Sequence, residues 1–229
     1  GQVDEFSKVQ LAEYSLQLAH QKQSTLSITG SGTYDTKSQD ADLQARLETA
    51  LPQLVSVVVL PDFKANAGTV KFNGHITQKN LTPTQTNNPT LDQTVTGNLR
   101  LENFTGNFSQ YKFAGFDTTA DVDVQIKGQQ LQIRKTAGSL REGAKPGGSF
   151  EVSGNYDLDK KSGQLALKLV DLNQDGLRPF LESMLGDKKL VSVSVNATTF
   201  ASFDASGDAA VKADFQMTKF IVSDPRHQL

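Results

Sequence analysis

The sequence predicts a mainly β protein, an antiparallel sheet of repeated hairpins, curled into a groove or packed like a sandwich, with two short helices. Three observations carry this. Apolar and polar residues alternate with period two over most of the chain, as in Ala120, Val122, Val124 and Ile126 against Asp121, Asp123 and Gln125. A hairpin-sized segment occurs twice without a gap, SGTYDTKSQDADLQARL at 31–47 and SGNYDLDKKSGQLALKL at 153–169. Each copy is followed by a short apolar, proline-containing stretch, ALPQL at 50–54 and LRPFL at 177–181. A supersecondary unit that recurs points to an elongated architecture in which each unit covers its apolar face with its neighbours.

Element by element, Val9 and Leu11, then Leu16 and Leu18, predict an N-terminal strand with a break of phase near Tyr14. Leu26 and Ile28, Val70 and Phe72, and Leu99 and Leu101 mark further strands. So do Phe150, Val152, Gly154, Tyr156 and Leu158, and then Leu165, Leu167 and Leu169. Val191, Val193 and Val195 alternate with serines, and Val211, Ala213, Phe215 and Met217 with Lys212, Asp214 and Gln216. One apolar and one hydroxylated or charged face is the pattern of antiparallel sheet that is wet on one side. Residues 35–40, 127–129 and 157–163 carry turn chemistry and read as hairpin loops. Residues 82–89 and 141–148, rich in Pro, Gly or Asn, read as longer, mobile loops. Helices are expected over about 49–58 and 173–185, the second ending at Gly186, where glycine can take the left-handed conformation. Residues 1–90 then form a first β-repeat unit with its helix and 91–229 a second, or the two form one continuous domain.

Composition narrows the function. With 229 residues the chain can bury a substantial core, and a net charge of −2 gives no basic footprint for nucleic acid. There is no cysteine, which removes disulfides, thiolate metal sites and cysteine nucleophiles. The longest apolar run, LVSVVVL at 54–60, is far short of the roughly 20 residues that span a bilayer. The chain starts at Gly1 and shows no signal peptide, so it reads as a piece of something longer.

Motifs for catalysis are weak. Asp171, Asn173, Asp175, Gly176 and Glu182 match a calcium-loop pattern, but the incoming segment alternates as a strand, and Arg178 and Pro179 interrupt it. The competing reading is that Asn173 or Asp175 caps a helix whose Leu177, Phe180 and Leu181 face the core. His20, His75 and His227 have no helical or neighbouring histidine partner. Ser109 and Lys112 match S-x-x-K without the accompanying motifs, and Asp121/Asp123 read as a solvated strand face. No catalytic residue, metal site or cofactor is expected, and the chain is read as not an enzyme.

The stretch VDLNQDGLRPFL at 170–181, the run GDAAVKADF at 207–215 leading to FIVSDP at 220–225, and VTGNLRLENFTG at 95–106 together resemble the AsmA-like and TamB-like proteins of the Gram-negative envelope. The resemblance implies a periplasmic protein anchored in the inner membrane through a segment outside this sequence. It also implies a long curled sheet of hairpins whose apolar concave side carries phospholipid or another lipid in outer-membrane biogenesis. The residues expected to face that interior are Val152, Leu165, Leu167, Leu169, Val191, Val193, Val195 and Phe215. Each contributes only apolar contact, on the order of 25 cal/mol per Å² buried, so none is expected to be essential alone. Two rival readings stand beside it. One is a structural or adhesive β-sandwich repeat without ligand. The other is a glycan-binding domain, disfavoured by the absence of tryptophan and by four scattered tyrosines.

Overall fold

A computed structural model describes residues 7–20, 23–58, 60–81 and 90–224. Eleven strands form one open antiparallel sheet in sequence order, each hydrogen-bonded only to its chain neighbours. They are β1 (Lys8–His20), β2 (Gln23–Asp35), β3 (Ala41–Ala50), β4 (Phe63–Asn80), β5 (Leu91–Phe108), β6 (Tyr111–Lys127), β7 (Gln130–Glu142), β8 (Lys145–Asp157), β9 (Ser162–Asn173), β10 (Lys189–Phe203) and β11 (Ala209–Ser223). Helix α1 (Leu51–Val57) follows β3, and α2 (Gln174–Leu185) follows β9. Within the described residues there is no second sheet, so this is not a two-sheet sandwich.

The register turns local alternation into two continuous faces. One row across all eleven strands reads Leu16, Ile28, Leu47, Phe72, Leu99, Ala120, Gly138, Phe150, Leu169, Ala197, Phe215. The adjacent row on the other face reads Ser15, Thr29, Arg46, Asn73, Asn98, Asp121, Ala137, Glu151, Lys168, Thr198, Asp214. Directly opposed residues share a face in an antiparallel pair, so the first row is an apolar stripe and the second a wet one.

Glycines on the apolar side mark close backbone approach. A Cβ at Gly138 would overlap the carbonyl oxygen of Thr119 on β6, and one at Gly74 that of Thr96 on β5. The missing side chains leave room for neighbouring backbones to close in on this side, which is how a sheet accommodates a bend toward one face.

The two copies of the repeat are the β2–β3 and β8–β9 hairpins, and they share a register. Gly32 faces Leu43 as Gly154 faces Leu165, and Tyr34 faces Ala41 as Tyr156 faces Gly163. Their loops are built alike too. Asp35 Oδ1 accepts the N–H groups of Lys37 (2.9 Å) and Ser38 (3.0 Å), and Asp157 Oδ1 those of Asp159 (3.1 Å) and Lys160 (2.9 Å).

One expectation of detail holds and several are corrected. The phase break in β1 is a register shift between Leu11 and Tyr14, as the pattern required. Residues 141–148, expected as a mobile loop, are instead the ends of β7 and β8, with Glu142 opposite Lys145. Gly143 takes φ 56°, which allows the chain to reverse within two residues. Pro146 is tolerated because β8 pairs with β9 only from Ser149 onward. Gly186 has a positive φ of 62° but a ψ of −122°, so it leaves α2 by a different turn from the left-handed cap expected. Pairing of β4 with β5 runs from Phe63↔Phe108 to Asn80↔Leu91, so the sheet is continuous across residue 90. Residues 82–89 and His227 lie outside the described residues.

Candidate functional site: a half-covered apolar face

Both helices fold onto the apolar side, and both at the same end of the strands. Leu51 of α1 packs with Phe104 and Phe116, while Leu54 adds to that cluster from the next turn. Leu177, Leu181 and Leu185 of α2 pack on Leu172, Leu190, Val193, Val195 and Ala197. Leu140 touches both clusters and joins them. An aromatic chain runs between the helices: Phe63 stacks on Phe104 (5.5 Å), Phe104 meets Phe113 (5.1 Å), and Phe113 meets Phe116 (5.3 Å) and Phe180 of α2 (5.7 Å).

Helix α2 is held there by its cap and by charge. Asn173 Oδ1 accepts the N–H of Asp175 (2.9 Å) and of Gly176 (3.4 Å), while its Nδ2 donates to the Pro146 carbonyl (2.8 Å). Arg178 pairs closely with Glu142 at the end of β7, and also with Asp175 (3.4 Å) and Glu182 (3.6 Å). Burial alone would lower the pKa of the guanidinium, but the Glu142 hydrogen bond and charge, helped by Asp175 and Glu182, raise it. This arrangement also accounts for the calcium-loop match. Asp171 is on β9 and exposed, Asn173 is the cap, and Asp175 and Glu182 spend their charge on Arg178. No group of three metal-ligating side chains occurs among the described residues.

Toward the opposite strand ends nothing covers the apolar face among the described residues. Leu131, Ile133, Tyr156, Leu165 and Phe203 line a hollow of about 320 Å³ whose walls are almost wholly apolar. The expected interior residues divide between the two zones. Val152, Leu165 and Leu167 lie half-buried on the apolar face, Leu169 is half-buried against the cluster beneath α2, and Phe215 lies on the face at 57% exposure. Val193 and Val195, at 2% and 4%, are sealed beneath α2 and are not part of the open surface. Val191 is 50% exposed, because pairing with β11 shifts between Leu190 and Ser192 and Leu190 takes the inward place. Sequence reasoning did not single out Leu131, Ile133 or Phe203. The alternation of Leu131 and Ile133 after the turn at Gly128 was the signal available.

On the polar face a hollow of about 380 Å³ lies beside Arg46, Lys71 and Arg100. Two of its three cations already have partners within the sheet. Lys71 is bonded to Glu102 (2.7 Å), which raises its pKa, and Arg100 Nε donates to Asn98 Oδ1 (2.7 Å). His75 Nε2 pairs with Asp42 (2.7 Å) on the same face, Asp121 accepts from Asn98 (3.0 Å), and Asp123 pairs with Arg134 (2.5 Å). These are cross-strand pairs of a solvated sheet surface. No described helix is long and apolar enough to cross a membrane. A scan of family models, a search of the curated proteins and a search of the solved structures each gave no match to this chain.

Proposed function

We propose that this chain is a non-enzymatic envelope module that holds or conducts lipid along its apolar concave face. The setting that goes with this reading is the periplasm of a Gram-negative cell, with the protein tethered to the inner membrane. The observation that carries it is the single-layered end of the sheet, where apolar side chains in register line an open hollow with no second layer upon them. A contiguous exposed apolar surface in a soluble segment calls for an occupant, and acyl chains match one with almost no polar group in its walls. A purely structural sandwich repeat would use its apolar side chains against a second sheet, which the described residues do not form.

The test is native mass spectrometry of protein purified from bacterial cells, followed by uptake of a fluorescent phospholipid by delipidated protein. Phospholipid is expected to co-purify. Leu167→Glu, on the open half-buried face, should reduce uptake strongly while leaving the circular dichroism spectrum intact. Val193→Glu is the contrasting variant, because a carboxylate forced beneath α2 should destabilise the fold itself. Delipidated protein that takes up no lipid, or Leu167→Glu with unchanged uptake, defeats the proposal.

A further inference from the structure

At the helix-bearing rim three strands outrun their neighbours. Pairing of β3 with β4 stops at Ala50↔Thr69, and residues 63–68 of β4 extend past it. On the other flank β7 ends at Glu142, opposite Phe116 of β6, which leaves residues 111–115 beyond it. Between them β5 completes a projecting three-stranded tongue, with Phe108 opposite both Phe63 and Tyr111 at its tip. The two turns of the tip are tied together, since the Ser109 N–H donates to the Asp62 carbonyl (2.7 Å).

The two sides of the tongue differ. On the side where α1 lies, Phe104 and Phe116 are buried at the base with Leu51. At the tip Leu60 comes beside Val55, Phe63 and Lys64, and Phe63 meets Phe108 edge-on (6.3 Å). Even so, Val57, Val58, Leu60 and Phe108 stay 44%, 44%, 42% and 54% exposed. On the opposite side Lys64, Asn107 and Lys112 stand in one row across the three strands. Both lysines are exposed, and neither has an ion pair among the described residues. Residues 60–68 and 103–115 hold a single carboxylate, Asp62, so the tongue is cationic in a chain whose net charge is −2. Unpaired lysines flanking exposed apolar side chains are matched by a surface that presents phosphates above hydrocarbon. A bilayer does so and a protein groove does not. Tyr111, level with Phe108, suits the headgroup layer, where its ring is buried and its hydroxyl wet.

We infer that this tongue docks the chain on anionic lipid bilayers, with Val58, Leu60 and Phe108 entering the acyl boundary and Lys64 and Lys112 on headgroup phosphates. The inference concerns a bilayer surface and does not rest on lipid being carried in the hollow at the opposite rim. It is tested by sedimenting the 229-residue chain with vesicles of phosphatidylcholine mixed with phosphatidylglycerol, and with vesicles of phosphatidylcholine alone. The chain should bind the mixed vesicles selectively, and less so as salt rises. Phe108→Asp and, separately, Leu60→Asp should weaken binding roughly tenfold or more, with the circular dichroism spectrum unchanged. Lys64→Gln should weaken it about fivefold, the effect of one basic residue at such a surface. Leu167→Glu, on the open apolar face, should bind as wild type does, so this inference and the lipid-carrying reading fail separately. An independent readout uses the absence of native tryptophan. Emission from Phe108→Trp should shift to the blue on mixed vesicles and be quenched by brominated lipid, whereas Phe200→Trp, exposed on the polar face, should do neither. Absent binding, equal binding to both kinds of vesicle, or binding unaffected by Phe108→Asp overturns the inference. So does an equal loss in Leu167→Glu, which would put the contact on the open face instead.

Discussion

Asp35 and Asp157 do the same work at equivalent places in the two repeats. At Asp157 the N–H of Lys160, followed by the side chain of Gln130, stabilises the charged carboxylate and holds its pKa below the ordinary value. At Asp35 the N–H of Ser38 and then that of Lys37 do so. A carboxyl whose pKa is lower in the folded chain adds stability that is fully present above the unfolded pKa of about 3.9 and is lost as pH falls through the folded value. Asp157→Ala should therefore be less stable than wild type at neutral pH, with the difference shrinking at strongly acidic pH to what the neutral carboxyl still contributes as an acceptor. Asp157→Asn should keep much of the turn, because its amide oxygen can still accept the two N–H groups, but should lose the pH dependence of this term. Urea denaturation across the acid range separates these outcomes. Identical stability of wild type and Asp157→Ala at pH 7 would count against this account of the loop.

At the scale of the element, α2 depends on one residue that satisfies three backbone groups. Asn173→Ala removes the acceptor for two helix N–H groups and the donor to Pro146, and should cost about 1 kcal/mol or somewhat more. Asn173→Asp keeps the acceptor but not the donor, so its stability in urea should fall between wild type and Asn173→Ala. Equal loss in both variants would show that the Pro146 bond matters and the cap does not. The elements are also where the sequence was most readable. Period-two alternation located the strands, the phase break at Tyr14 located a bulge, and a cap residue preceding an apolar turn located α2. What alternation could not convey is coverage. Val193 and Leu167 look alike in sequence, yet one is sealed and the other half-open, because the line α2 takes across β6 to β10 depends on how the whole sheet curls. Val191 was misplaced for a related reason. A single shift of register exchanges inward and outward positions, and nothing in the run of valines and serines marks where it falls.

Over the whole molecule, stability is graded from one strand end to the other. One end has two layers, with Phe104 and Phe116 at 3% and 5% exposure and Val193 at 2%. The other has one layer, and even at the helix-bearing end the outermost described strand β1 leaves Leu16 and Leu18 at 60% and 47% exposure, since α1 packs on β2 to β4. Amide hydrogen exchange read by mass spectrometry should be slowest in the segments around Phe104, Phe116 and Val193, and fastest in β1. Uniform protection across the sheet would mean that the helices contribute little to its cohesion.

Because strand follows strand without any crossover, the chain can be lengthened by inserting a whole hairpin while every existing ladder away from the insertion stays as it is. Parity governs what such an insertion does. Six strands, β4 to β9, separate α1 from α2, and that even number places both helices at the same rim. A duplication of two strands between them would widen the uncovered surface and keep the rim closed. Gain or loss of a single strand would send α2 to the rim opposite α1, and the hollow lined by Leu165 and Phe203, at the far ends of β9 and β10 from α2, would move to the rim of α1.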